Sequence, residues 1–282
     1  MPESLFITDF DRTLLRDDKR VSRTDLATLE RLRETGVTTA IATGRSVYSF
    51  ERAMTDMGIE NRDFPVDYLL FSTGAGIMDM KTGTIIRSLS ILKSDVEEIT
   101  AYFDELAYDY MVHKAIPDTP YFQYKSHGRD NPDFKRRIQL YQPFSKPMNG
   151  ATRLFESATQ VLAIVQGGLA KSRLEMVSSD LARFSVIHAT SPLDHRSSWI
   201  EVFHEKVSKS QSTAWLAAEL NIPRSRVISV GNDTNDQDLL TWSGKGFAVS
   251  NAVPDLRDCT RLTASNNQSG VTMAAEAAGL LD

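Results

Sequence analysis

The sequence predicts an α/β fold: a doubly wound, Rossmann-like parallel sheet interrupted by an inserted α+β unit. Three observations predict it. Short apolar runs alternate with helix-period segments at both ends of the chain. Polar or glycine-containing turns follow those runs. The middle, by contrast, is aromatic-, proline- and charge-rich and breaks the alternation.

The chain has 282 residues, enough for one large or two modest domains. At 41% hydrophobic it can bury a core and is not generally disordered. A net charge of −5 gives no support for non-specific nucleic-acid binding. The one cysteine, Cys259, rules out an intrachain disulfide framework and fits a reducing, cytoplasmic setting. Met1-Pro2-Glu3-Ser4 is not basic, and the apolar run behind it stops at Asp9, so it reads as neither signal peptide nor membrane span.

Leu5-Phe6-Ile7 is a buried strand by composition, and Asp9-Phe10-Asp11-Arg12-Thr13 stands at its end. A helix is predicted from Ser22 to Glu34, capped by Ser22, with Leu26, Leu29 and Leu32 near helical spacing and Gly36 ending it. Thr38 to Ala42 is a second strand running into Thr43-Gly44-Arg45. Val47 to Met57 is a helix stopped by Gly58, and Asp67 to Ser72 a third strand before Thr73-Gly74-Ala75-Gly76. Ser94-Asp95-Val96-Glu97 has the pattern of a capping box opening a helix to about Leu106.

From Met111 to Gly150 the elements cannot be assigned; Tyr121, Phe122, Tyr124 and the run Lys135-Arg136-Arg137 lie there. Strands are predicted at Gln160 to Gln166, Phe184 to Ala189 and Trp199 to His204, with a helix over Ser172 to Ala182. Ser208 to Leu220 is helical. Arg226 to Val230 is a strand ending in Gly231-Asn232-Asp233-Thr234-Asn235-Asp236, with a short helix after it. Short strands at Gly246 to Ser250 and Arg261 to Ser265 and a helix over Val271 to Gly279 close the chain. Residues 1–87 and 206–282 would form the core domain around an insert at 88–205.

In an open α/β sheet, ligands bind outside the carboxyl ends of the strands. Two carboxylates and a hydroxyl there suit a hard cation and a phosphoryl group. Polar clusters recur at four such places: Asp9/Asp11, Thr43, Lys209, and Asn232/Asp233/Asp236. The ordered set resembles the haloacid dehalogenase-like hydrolases, in particular their Cof-type sugar-phosphate phosphatase branch. Asp9 to Leu15, Ala42 to Arg45, Val207-Ser208-Lys209 and Gly231 to Asp236 look like the family's four motifs. Val249 to Ala252, Thr263 to Asn266 and Gly270-Val271 are similar to the branch's closing segments.

The resemblance implies a Mg2+-dependent phosphatase of small phosphorylated metabolites. Asp9 would be the nucleophile and Asp11 the general acid and base. Thr43 would hold phosphoryl oxygens, and Lys209 would neutralise their charge. Arg45, Thr73, Gly74 and Asn251 would bind substrate, and Asp9, Asp11, Asn232, Asp233 and Asp236 would surround the metal. The chain departs from the family in having Arg12 where glycine is usual, and Gly231-Asn232-Asp233 where Gly-Asp is usual. Either Asn232 or Asp233 therefore takes the metal position. The insert would be a cap, with Lys125, His127, Arg129, His195 and Arg196 as candidates for reading the leaving group. The rival readings are a sugar phosphomutase and a non-catalytic binder of phosphorylated metabolites.

Overall fold

The chain begins with β1 (Leu5–Thr8), whose four side chains are all buried. A strand in the middle of a parallel sheet is covered on both faces, so it reads as a continuous apolar run. Ser22 caps α1 (Arg23–Glu34) by accepting a hydrogen bond from Asp25 N. Next come β2 (Thr38–Ala42) and α2 (Val47–Met57); Gly58 ends α2 in the left-handed conformation at φ 71°. β3 (Tyr68–Phe71) is followed by the hairpin strands β4 (Gly76–Asp79) and β5 (Thr84–Ser88).

The middle contains β6 (Ile91–Leu92), α3 (Lys93–Glu105), β7 (Asp109–Lys114), β8 (Phe122–Lys125) and α4 (Pro132–Leu140). β9 (Ser145–Pro147), β10 (Ser157–Val165), α5 (Lys171–Asp180), β11 (Ser185–Thr190) and β12 (Ser198–Phe203) complete it. The chain then forms α6 (Lys209–Glu219), β13 (Val227–Gly231), α7 (Gln237–Trp242), β14 (Lys245–Val249), α8 (Pro254–Cys259), β15 (Arg261–Thr263) and α9 (Gly270–Ala277). The structure is a computed structural model and describes residues 3–149 and 153–281; Met1-Pro2 and Gly150 lie outside them. No helix among these residues is long and apolar enough to cross a membrane.

Contacts divide the chain into Met1–Arg87 with Ser208–Asp282, and Ser88–Val207. The first unit holds an eight-stranded sheet in the order β15-β14-β13-β1-β2-β3-β4-β5. Strands β15 through β3 run parallel, and β4 turns back antiparallel on β3. On one face Leu5, Ile7, Ala40, Ala42 and Leu70 pack against Leu216 and Ala217 of α6 and Leu239 of α7. α1 and α9 are joined by Thr28–Thr272 hydroxyls at 3.0 Å and by Asp25 Oδ1, which accepts from Thr272 N at 3.0 Å. This topology puts the loops after β1, β2, β3 and β13 at one edge, where the parallel strands end.

The second unit has its own sheet, ordered β11-β12-β10-β7-β8-β9, with β6 also on β10. One face packs Val161, Ala163, Tyr110 and Val112 against Val96, Ile99 and Phe103 of α3 and Val177 of α5. The other packs Met111, Leu162, Ile164 and Trp199 against Phe134 of α4.

Two expectations need correction here. The capping box at Ser94 is absent: α3 begins at Lys93 behind Leu92, with no side-chain cap. The fold of β6 onto β10 sets that start, since Lys93 N donates to Glu156 O at 3.1 Å. The β4–β5 hairpin, its turn tied by Asp79 Oδ1 to Lys81 N and Thr82 N, was not expected.

Candidate active site

The loop after β1 carries Asp9 and Asp11. Asp9 N donates to Val230 O of β13 at 2.8 Å, which pins the carboxylate at the sheet edge. Its side chain is 8% exposed, and Oδ1 accepts from Lys209 Nζ at 2.7 Å. Lys209, 1% exposed at the start of α6, also reaches Asp236 Oδ1 at 2.5 Å. One buried ammonium thus sits between two buried carboxylates brought from three separate segments.

Burial alone would lower the Lys209 pKa, but Asp236 and Asp9 overcome that and hold it above its ordinary value, so the lysine is charged. Burial pushes the Asp9 carboxyl upward. Lys209 opposes that rise, while Asp236 and Asp11 add to it. A cation on the other side of Asp9 would favour its ionised form.

Asp11 is gripped from outside. Arg45 Nε donates to Oδ2 and Nη2 to Oδ1, both at 2.7 Å, a two-pronged charged pair. Arg45 is itself placed by Nη1 donating to Ser49 O at 3.0 Å and by the Phe10 ring 5.4 Å away. The arginine expected to bind substrate therefore also fixes the side chain of Asp11. Thr43 is buried after β2, with Oγ1 accepting from Arg45 N at 3.1 Å and its carbonyl from Thr73 N at 2.9 Å.

Thr73 lies in a tight turn where Ser72, Thr73 and Gly74 all have positive φ. Gly74 is required for packing. A Cβ there would stand 2.4 Å from Ser212 Oγ and 2.8 Å from Ser208 O, both at the start of α6. Ser212 Oγ donates to Gly74 O at 2.7 Å. This contact ties the loop to the helix that carries Lys209, so Gly74 is better described as a close-approach glycine than as a substrate ligand.

Asn251, expected to bind substrate, has partners at both ends of its amide. Its Nδ2 donates to Arg12 O at 2.9 Å and its Oδ1 accepts from Asn266 N at 2.9 Å. One end of the amide thus holds the loop after β1, and the other holds the segment after β15. Arg12 has φ 59°, the left-handed conformation that favours glycine.

The acidic turn after β13 separates the three residues expected near a metal. Asp236 Oδ2 accepts from Asn232 N at 2.8 Å and Asp233 N at 3.0 Å. With Oδ1 on Lys209, both its oxygens are occupied. Asp233 Oδ1 accepts from Thr234 N at 2.7 Å and caps the turn. Asp236 is thus engaged by Lys209 and by the Asn232 and Asp233 amides, and Asp233 Oδ1 is engaged within its own turn.

Asn232 lies beside Asp9. One end of its amide lies 3.0 Å from Thr13 Oγ1 and 3.1 Å from both Asp9 Oδ2 and the Asp11 carbonyl oxygen. Nitrogen at that position donates to all three. Oxygen there instead faces two oxygens that cannot donate, an arrangement favourable only with a cation among them. Neighbouring ligands around a cation bound at about 2.0–2.1 Å are about 3 Å apart, so the set fits magnesium. Among the described residues no three His, Cys, Asp or Glu side chains gather as a metal cluster. This set combines one carboxylate, one main-chain oxygen and one amide.

Two of the expected leaving-group readers in the second unit have structural partners. Lys125 Nζ and His127 Nε2 both contact Asp104, at 2.7 and 3.2 Å, beside the face covered by α3. Thr13 and Ser212 contribute to the site without having been given individual roles. Only their distant partners reveal them.

The model of the family described as haloacid dehalogenase-like hydrolase matches residues 6–274. A Bacillus subtilis (strain 168) protein named 5-amino-6-(5-phospho-D-ribitylamino)uracil phosphatase YitU is 26% identical over 282 residues, covering 95% of this chain and 94% of that one. An Escherichia coli O6:H1 protein named HMP-PP phosphatase is 22% identical over 258 residues, covering 88% and 85%. A solved haloacid dehalogenase-like hydrolase from B. subtilis shares the fold, with a TM-score of 0.74, 21% identity and coverage of 99% and 100%. Since the family match spans nearly the whole sequence, the chain belongs to the haloacid dehalogenase-like hydrolases.

Proposed function

We propose that this protein is a magnesium-dependent phosphatase of small phosphomonoesters, sugar phosphates foremost, acting in the cytoplasm through an aspartyl-phosphate on Asp9. The observation that carries this reading is the Asp9 carboxylate held on a buried lysine at the carboxyl edge of a parallel sheet. The relatives named as phosphatases support it.

In the first step an Asp9 oxygen attacks phosphorus, and the bond to the leaving oxygen breaks as Asp11 gives that oxygen a proton. In the second, water attacks phosphorus, Asp11 takes its proton, and the Asp9–phosphorus bond breaks to release phosphate. The Arg45 fork occupies both Asp11 oxygens, so Asp11 must leave the fork to pass a proton. Lys209 neutralises charge on Asp9 and on the transferring group. Thr43 would donate to a phosphoryl oxygen. Asp9 Oδ2, the Asp11 carbonyl and Asn232 Oδ1 would hold magnesium, which would offset the negative charge of the phosphoryl group. The second unit would act as a cap that selects the leaving group.

A panel of phosphomonoesters with magnesium tests the reading. Turnover of at least one substrate class is expected, and none above background with folded protein would overturn it. Asp11→Asn should lose roughly 100- to 10,000-fold on sugar phosphates and distinctly less on an activated aryl phosphate, which needs little acid help. Equal losses on both would remove Asp11 from the acid role.

Magnesium titrations separate the two candidate ligands. Asn232→Asp should lower the magnesium concentration needed for half-maximal activity, because it adds a negative charge to the set. Asp233→Ala should leave that concentration nearly unchanged, since its carboxylate caps a turn. A severe magnesium defect in Asp233→Ala, beside an unaffected Asn232→Ala, would reverse the assignment.

A further inference from the structure

We infer that the second unit carries its own binding site for an acidic group on a small molecule, a carboxylate or phosphate next to a hydroxyl, built from Arg137, His113 and Gln160. The inference goes beyond the phosphatase reading, which uses none of these residues. In the register of β7 and β10, His113 lies opposite Gln160, so both leave the sheet on one face. Alternation from Met111 and Leu162 puts them on the face covered in part by α4.

Arg137 stands in the last turn of α4. That helix is pinned at its start. Buried Asp133 accepts from Trp199 Nε1 at 2.7 Å and from Ser191 Oγ at 2.9 Å. The guanidinium lies 4.5 Å from the Trp199 ring and 5.4 Å from the Tyr141 ring, and Nη2 is 3.5 Å from His113 Nε2. It makes no ion pair among the described residues, and its buried Nε has no partner. Such a guanidinium is already oriented for an anion.

His113 cannot supply the countercharge. Its Nδ1 is 2.9 Å from Thr119 O, to which it donates, leaving Nε2 as an acceptor toward Arg137. Burial and Arg137 push its pKa down to about 3, so the ring is neutral. Gln160 is 5% exposed, and its Oε1 also lacks a partner among the described residues. His113 touches the guanidinium and lies opposite Gln160 in the sheet, so a guanidinium N–H and a buried amide oxygen, each without a partner among the described residues, flank one ring; together they call for a ligand offering an anionic oxygen and an O–H. A hydroxy acid or sugar acid has that pair.

The acidic group belongs either to the phosphorylated substrate or to a separate molecule, and one set of assays distinguishes the two. Wild type, Arg137→Ala, Arg137→Lys and Gln160→Leu are compared on 6-phosphogluconate, on sorbitol 6-phosphate as its neutral counterpart, and on p-nitrophenyl phosphate. If the group is on the substrate, Arg137→Ala should raise KM for 6-phosphogluconate about tenfold relative to sorbitol 6-phosphate. kcat and p-nitrophenyl phosphate turnover should hold, and Arg137→Lys should recover part of the loss. If the group is separate, gluconate should bind wild type in calorimetry and alter p-nitrophenyl phosphate turnover, with both effects lost in Arg137→Ala.

Unchanged selectivity together with unchanged gluconate binding in Arg137→Ala overturns the inference. Should Arg137→Ala fail to fold, Gln160→Leu decides: loss of preference for the acidic sugar, or of gluconate binding, supports the site, and loss of neither removes it. If wild type hydrolyses no phosphomonoester, the phosphatase reading fails alone. Calorimetric binding of 6-phosphogluconate to wild type and Arg137→Ala then decides the site: binding lost in the variant supports it, and equal or no binding overturns it.

Discussion

Asp9→Asn is expected to leave a folded protein with at least about 1000-fold less magnesium-dependent phosphatase activity. An amide at this position keeps the size of the side chain and a carbonyl oxygen for Lys209. It lacks the negative oxygen that must attack phosphorus. The fold should survive because the main chain of residue 9 stays bonded to Val230 and the apolar residues of β1 are untouched. Steady-state kinetics on the best panel substrate, with circular dichroism as the folding control, provide the measurement. Activity above a few per cent of wild type would remove Asp9 from the nucleophile role.

The second large effect is at Lys209. In Lys209→Met, Asp9 and Asp236 would face each other without a cation between them. Breaking a buried ion pair from one side costs about 3–5 kcal/mol, because a charge is left uncompensated in the interior. Activity should fall at least about 100-fold, as when a preorganised charge beside the reacting group is lost. A double variant separates stability from catalysis. Lys209→Met with Asp236→Asn removes a charge of each sign and should regain much of the denaturation midpoint while staying inactive. If activity returned with stability, Lys209 would be only structural.

The contrast between these residues and the corrected ones shows what a sequence can carry. β1, α1 and α2 were legible because their signals are local: an apolar run, a serine cap, a glycine stop. The positions of the Asp9 loop, Thr43, Lys209 and the acidic turn could be read because each lies at a strand or helix end, where the fold collects polar groups. The Arg45 grip on Asp11 spans 34 positions and leaves no local trace. The brace from Asn251 to Arg12 spans 239 positions. Gly74 looked like a turn residue and is held by the approach of α6. In the second unit, Lys125 and His127 looked available until the fold placed Asp104 beside them. Spacing along the chain reports local geometry well, and it does not report which distant side chain takes the last free hydrogen bond.

The most direct test of the account is to trap the phosphoryl group on the protein. Turnover of the best substrate with magnesium is quenched in acid, and the protein is reduced with borohydride, which converts an aspartyl-phosphate to homoserine. Peptide mass spectrometry then reads residue 9. The account predicts homoserine at position 9, dependent on substrate and magnesium and enriched in Asp11→Asn, where attack of water on the intermediate is slowed. Unmodified Asp9 throughout, or homoserine at position 11 instead, would contradict it.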